Sequence, residues 1–161
     1  DPNDEATTLA PMARADLRDE LHRQVKASVA KGARVLLGGE PGQGATVYPA
    51  TVLDGVVPGM PAWHEELFGP VASLIRARDE ADAIRIANDT SFGLGASVWT
   101  QDRGRGEAAA RRIDAGACFV NALVRSDARL PFGGTKSSGF GRELAEHGIR
   151  EFTNIKTVYV E

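Results

Sequence analysis

The sequence predicts an α/β fold, an open and mostly parallel sheet with flanking helices. Three observations predict it. Short apolar runs alternate with helical patterns from residue 13 to residue 121. The first helical pattern carries one apolar stripe, with Leu17, Leu21, Val25 and Val29 at four-residue spacing. After the last of the alternating strands comes Pro131 to Glu143, a stretch too rich in glycine for a helix and too regular for a linker.

Each element has its own justification. Ala13 to Lys31 carries the stripe and meets Gly32, a natural stop. Arg34 to Leu37 reads as a short strand, and Glu40 to Ala45 as a turn through Pro41, Gly42 and Gly44. Val47 to Leu53 is a second strand, placed at an edge because Pro49 lacks a ladder donor. Gly55 to Pro70 is irregular, and Val71 to Arg76 is a compact apolar strand. Asp79 caps a helix reaching about Asp89, with Ala83, Ile84 and Ala87 on its inner side. Ala96 to Thr100 is a strand. An Ala/Arg-rich helix starts at Asp102 or Gly104 and ends at Gly116, before a buried strand at Ala117 to Asn121. Beyond the glycine-rich stretch, Glu143 to His147 is a short helix stopped by Gly148. Phe152 to Val160 is a final strand, apolar on both faces through Phe152, Ile155, Val158 and Tyr159. Such a strand asks for neighbours on both sides, and a second chain can supply one.

Composition narrows the function. The chain has 161 residues, 42% of them hydrophobic and 25% charged, which suits one soluble globular body. A net charge of −3 argues against nucleic acid or an anionic membrane as partner. No apolar run approaches the ~18 residues of a membrane span. Cys118 is the only cysteine, which excludes an internal disulfide and suits a reducing cytoplasm. His22, His64 and His147 are scattered without ligand spacing, so no metal is expected. The chain opens with Asp1, and its first residues read as an interior loop, as expected of a piece of a longer protein.

Two stretches hold the candidate chemistry. In His64-Glu65-Glu66-Leu67-Phe68-Gly69-Pro70-Val71 a carboxylate pair stands beside an aromatic in a proline-bounded loop. A carboxylate can accept both hydroxyls of a ribose, and a ring can support a flat heterocycle. In Pro131 to Glu143, Phe132 can line an apolar cavity, while Lys136 and Arg142 can hold carbonyls or anions. No Gly-x-Gly-x-x-Gly opens a long helix after a strand, so these cations read as loop-fixing groups, not phosphate ligands.

Together with Ile86-Ala87-Asn88-Asp89, Gly93-Leu94-Gly95-Ala96 and Gly116 to Asn121, taken in order, the two stretches resemble the C-terminal part of the catalytic domain of the NAD(P)-dependent aldehyde dehydrogenase superfamily. The tail Gly148-Ile149-Arg150-Glu151-Phe152-Thr153-Asn154-Ile155-Lys156-Thr157 looks most like the succinate-semialdehyde dehydrogenase branch. The resemblance implies that residues 1–150 are part of a catalytic domain and residues 151–161 a C-terminal oligomerisation strand of a homo-oligomer. It implies NAD or NADP as cofactor and a small aldehyde as substrate. Glu66 matches the carboxylate on the nicotinamide ribose and Phe68 the aromatic beside the nicotinamide. Phe132 matches a wall of the aldehyde pocket, and Ser126 a serine that helps bind the substrate's far carboxylate. Arg125 and Arg129 could assist that carboxylate by charge, against a plainer reading as solvated surface groups.

The same resemblance places the nucleophilic Cys, the general-base Glu and the dinucleotide domain upstream, so no catalytic residue is assigned in this chain. Cys118 sits in an apolar strand with no adjacent cation and reads as a small buried hydrophobe. The isolated chain is therefore expected to be inactive. The alternative is a non-catalytic assembly module that pairs its terminal strand with another subunit.

Overall fold

The computed structural model describes residues 3–161. The chain forms two compact units, one ending at Ala77 and one running from Arg78 to Glu161. Neither glycine nor proline marks the junction, which lies in Arg76-Ala77-Arg78-Asp79.

In the first unit, helix α1 (Ala15–Ala30) is followed by strands β1 (Arg34–Leu37) and β2 (Thr51–Asp54), the short helix α2 (Pro61–His64) and strand β3 (Val71–Leu74). The strand order is β1-β2-β3, with β1 antiparallel and β3 parallel to β2. The core joins Leu21 and Val25 of α1 to Ala33, Tyr48, Leu53, Val56, Met60 and Ala62. The buried face of α1 is Leu21, Gln24, Val25 and Ser28, while Val29 is 38% exposed. Four-residue steps overrun a 3.6-residue turn, so a stripe spaced that way rotates off the core by its fourth member. Two polar residues complete the face instead.

In the second unit the order is helix α3 (Glu80–Asn88), strands β4 (Phe92–Gly93) and β5 (Gly95–Val98), helix α4 (Arg103–Ala110), strands β6 (Ala117–Val120) and β7 (Thr135–Lys136), and helix α5 (Ala145–Arg150). Strands β5 and β6 run parallel across the α4 crossover, and β4 pairs antiparallel with β7. Both main helices start at an aspartate cap. Asp79 accepts from the Asp82 amide at 2.8 Å, and Asp102 accepts from the Arg105 amide at 3.0 Å.

The structure corrects several expectations. The open, mostly parallel sheet is absent: the described residues build three small sheets, one of three strands and two of two, with parallel and antiparallel pairs. A parallel pair needs a crossover. Residues 38–50 contain no helix, so the chain returns from β1 antiparallel. Strand β2 begins after Pro49 and is central, not an edge, so the missing proline donor falls outside the ladder. The irregular 55–70 region contains α2, which Pro61 opens at its first turn. Helix α5 starts later than expected and passes through Gly148. Residues 152–161 form no strand, because no described backbone offers them a ladder. Phe152, Ile155 and Tyr159 stand 94%, 94% and 82% exposed.

Candidate functional site

The four candidate side chains divide between the units, Glu66 and Phe68 in the first, Ser126 and Phe132 in the second. Glu66 and Phe68 come together on one wall of a cavity of about 420 Å³, completed by Met12, Ala13, Leu17, Leu67 and Gly69. Their loop is laid along α1. The Ser28 hydroxyl donates to the Gln24 carbonyl at 2.9 Å and accepts from the Ala62 amide at 3.0 Å. The Gln24 amide donates to Glu65 Oε2 at 2.9 Å and to the Glu66 carbonyl oxygen at 3.1 Å. Gly69 then crosses α1 so closely that a Cβ there would run into Leu21 Cδ2 and lie 3.2 Å from Met12 Cε.

With its backbone held from behind, the segment presents Phe68 63% exposed and Glu66 exposed beside it. Among the described residues no group pairs with the Glu66 carboxylate. A free carboxylate and an open ring on one cavity wall fit a ribose diol and a flat heterocycle.

In the second unit, Phe132 lines a cavity of about 610 Å³ with Cys118, Phe119, Arg125, Asp127 and Arg142 among its neighbours. Ser126 is exposed and is not part of that lining, although the residues on either side of it are. Arg129 grips Asp127 through Nε at 2.9 Å and Nη2 at 2.6 Å, and that guanidinium holds the Asp127 carboxyl well below the usual carboxylate range. Arg129 is committed to Asp127, and of the two arginines that line the cavity Arg142 is bonded to loop carbonyls, which leaves Arg125. Cys118 is half-buried and lines the cavity, where a buried hydrophobe was expected; its partial burial still pushes the thiol up, which disfavours the thiolate.

The glycine-rich stretch is architecture. Phe132 and Glu143 exchange backbone hydrogen bonds at 2.9 and 2.7 Å, closing the loop at its ends. Arg142 Nη1 donates to the carbonyls of Gly134 at 2.7 Å and Gly141 at 2.8 Å. Lys136 Nζ donates to the Asn88 carbonyl at 2.9 Å and sits 3.4 Å from Asp114. Both cations are thus spent on the fold, as their loop-fixing reading requires. Gln24, Ser28 and Asn88 were missed from the sequence. For the first two a signal existed, since polar side chains three and seven residues beyond Leu21 interrupt the apolar face of α1.

Among the described residues, no helix is long and apolar enough to cross a membrane, and no cluster of His, Cys, Asp and Glu could hold a metal ion.

Comparisons agree with this architecture. The succinate semialdehyde dehydrogenase (NAD(P)+) Sad of Escherichia coli (strain K12) is 52% identical over 160 residues, covering 99% of this chain and 35% of that protein. The succinate-semialdehyde dehydrogenase (NADP(+)) 1 of Mycobacterium ulcerans (strain Agy99) is 49% identical over 161 residues, 99% of this chain and 35% of that protein. The chain thus spans about a third of the length of the curated relatives it matches. Among solved structures, an NAD-dependent aldehyde dehydrogenase from Sinorhizobium meliloti superposes with a TM-score of 0.94 at 40% identity, over 99% of this chain and 32% of that one. A succinic semialdehyde dehydrogenase from Streptococcus pyogenes in complex with NADP+ gives 0.93 at 35% identity, over 99% and 35%. The family model described as the aldehyde dehydrogenase family matches residues 1–158; the chain belongs to the aldehyde dehydrogenase family.

Proposed function

We propose that this chain is the C-terminal third of an NAD(P)-dependent dehydrogenase that oxidises a small aldehyde, succinate semialdehyde, to the carboxylic acid. The observation that carries the reading is the 52% identity to a succinate semialdehyde dehydrogenase over 99% of this chain. In this reading residues 1–150 are part of the catalytic domain.

Glu66 would accept the nicotinamide ribose hydroxyls, and Phe68 would flank the nicotinamide ring. The unpaired carboxylate and exposed ring on one cavity support that fit. Bound NAD+ or NADP+ supplies a hydride acceptor. Phe132 walls the aldehyde and excludes water, and Ser126 helps hold a far carboxylate, with Arg125 adding positive charge. Cys118 is not assigned as the nucleophile, since it lies in β6 and its partial burial disfavours the thiolate. The isolated 161-residue chain is therefore inactive.

Residues 151–161 carry exposed apolar side chains suited to extending the sheet of a second copy, which supports a homo-oligomer. A single free cysteine suits the cytoplasm.

The test is reduction of NAD+ and NADP+ at 340 nm by the full-length enzyme carrying this chain, with succinate semialdehyde set against aldehydes lacking the carboxylate. Turnover favouring succinate semialdehyde is expected. No turnover with any aldehyde refutes the reading.

A further inference from the structure

The geometry points to Gln24 as a positioning residue for the dinucleotide, setting the backbone of the loop from which Glu66 and Phe68 project. The inference rests on the reading of those two residues as the nicotinamide-ribose pair. Segment 62–69 runs back along α1 and touches it at three stations on one helical face. Ser28 holds the Ala62 amide at 3.0 Å, Gln24 holds Glu65 and the Glu66 carbonyl, and Leu21 lies against Gly69. These stations are spaced i, i+3 and i+7, the period of one buried face.

The middle station differs from the other two. Gln24 is 6% exposed, and Nε2, with only two hydrogens to give, gives one to each partner. One partner is the backbone oxygen of the ligand-binding residue itself. The other, the Glu65 carboxylate, also sits 3.5 Å from Arg23, so the neighbouring carboxylate is turned onto α1 and away from the cavity. The Glu66 side chain takes no part in the grip and stays available. An apolar residue at 24 would preserve the core contact and leave the Glu66 carbonyl without its donor, so the loop would fold but lose its fixed aim.

Steady-state kinetics on the full-length enzyme test this. Gln24→Met keeps length and volume and loses both donors. Its KM for NAD(P)+ is expected to rise roughly tenfold, equivalent to about 1.4 kcal/mol, with the aldehyde KM within about twofold of the parent. Gln24→Glu supplies a pH-dependent rescue. As a carboxylate it faces two acceptors and can donate to neither; once protonated it regains one O–H. Its NAD(P)+ KM is expected to be high near pH 8 and to fall toward the parent's value as the pH is lowered, with Gln24→Met flat over the same range. A Gln24→Met enzyme with unchanged NAD(P)+ KM, or one that loses only active-enzyme yield, overturns the inference. Should the Gln24 variants fail to fold, Glu65→Ala at the exposed end of the same grip decides: about a threefold rise supports it, and none overturns it. Glu66→Ala and Phe68→Ala are measured alongside. If both leave the NAD(P)+ KM unchanged, the cofactor reading falls and this inference with it. If they raise it while Gln24→Met does not, only the positioning role falls.

Discussion

Gly116→Ala separates the two jobs of the glycine-rich stretch, holding the fold and shaping the proposed substrate wall at Phe132. Gly116 precedes β6, and its amide donates to the Gly93 carbonyl at 2.9 Å. A Cβ built there would lie 2.7 Å from the Gly133 carbonyl carbon and 3.1 Å from Gly134 Cα, with the Gly133 oxygen nearer still. These are backbone atoms, so no side-chain rotation relieves the clash, and the loop must retreat by on the order of 1 Å. Phe132 is the next residue along and moves with it. Overpacking of this kind costs about 1–3 kcal/mol, and a shift of ~1 Å at a substrate wall can cost about a hundredfold in rate. The assay is kcat/KM for succinate semialdehyde by the full-length enzyme, beside its thermal unfolding midpoint. A roughly hundredfold loss in kcat/KM, larger than any change in NAD(P)+ KM, is expected. If the midpoint falls while kcat/KM is unchanged, β6 gives way instead of the loop, and the coupling of Gly116 to Phe132 is refuted.

Gly104→Ala should do the opposite. Gly104 lies in α4 with nothing nearer its missing Cβ than Asp102 Oδ1 at 3.5 Å, so alanine is expected to stabilise by about 0.4–1 kcal/mol, read as a higher urea midpoint. Asp54 is buried, and the Arg34 guanidinium, helped by Arg76, holds its carboxyl below the ordinary carboxylate range. Its folded pKa is lowered, so its contribution is present above the ordinary carboxylate value of about 3.9 and is lost as the pH falls through the lowered one. Urea midpoints followed downward from pH 5 should drop in the parent and drop less in Asp54→Asn. Alkylation of Cys118 by iodoacetamide should be slow at pH 7 and accelerate only above the range of an ordinary exposed thiol, because burial favours the neutral form. Fast alkylation at pH 7 would make Cys118 a candidate nucleophile.

Local chemistry was legible in the sequence wherever its cause was local. The aspartate cap at Asp79, the strand beginning at Ala117 and the turn from Glu40 to Ala45 depend on neighbours within a few residues, and each stands in the structure, although the strand ends at Val120 and is half-buried where a buried one was expected. The ordered motifs carried the resemblance to the family, and in this chain their glycines and cations serve close backbone approaches and carbonyl bonds. Lys136 and Arg142 could be read as loop-fixing groups because no Gly-x-Gly-x-x-Gly opens a long helix after a strand, and both bond backbone carbonyls. Pairing partners were not legible. Whether β2 is an edge or a centre, and whether the strands share one sheet, depends on which distant segment supplies the ladder, and no local pattern encodes that. Residues 152–161 have the composition of a strand, but composition cannot provide the second backbone that a strand requires. The sequence by itself determined the family and the residue types at the candidate site. Only tertiary structure decided that α1 templates the Glu66 loop through Gln24 and Ser28, because those bonds span 34 to 42 residues of chain.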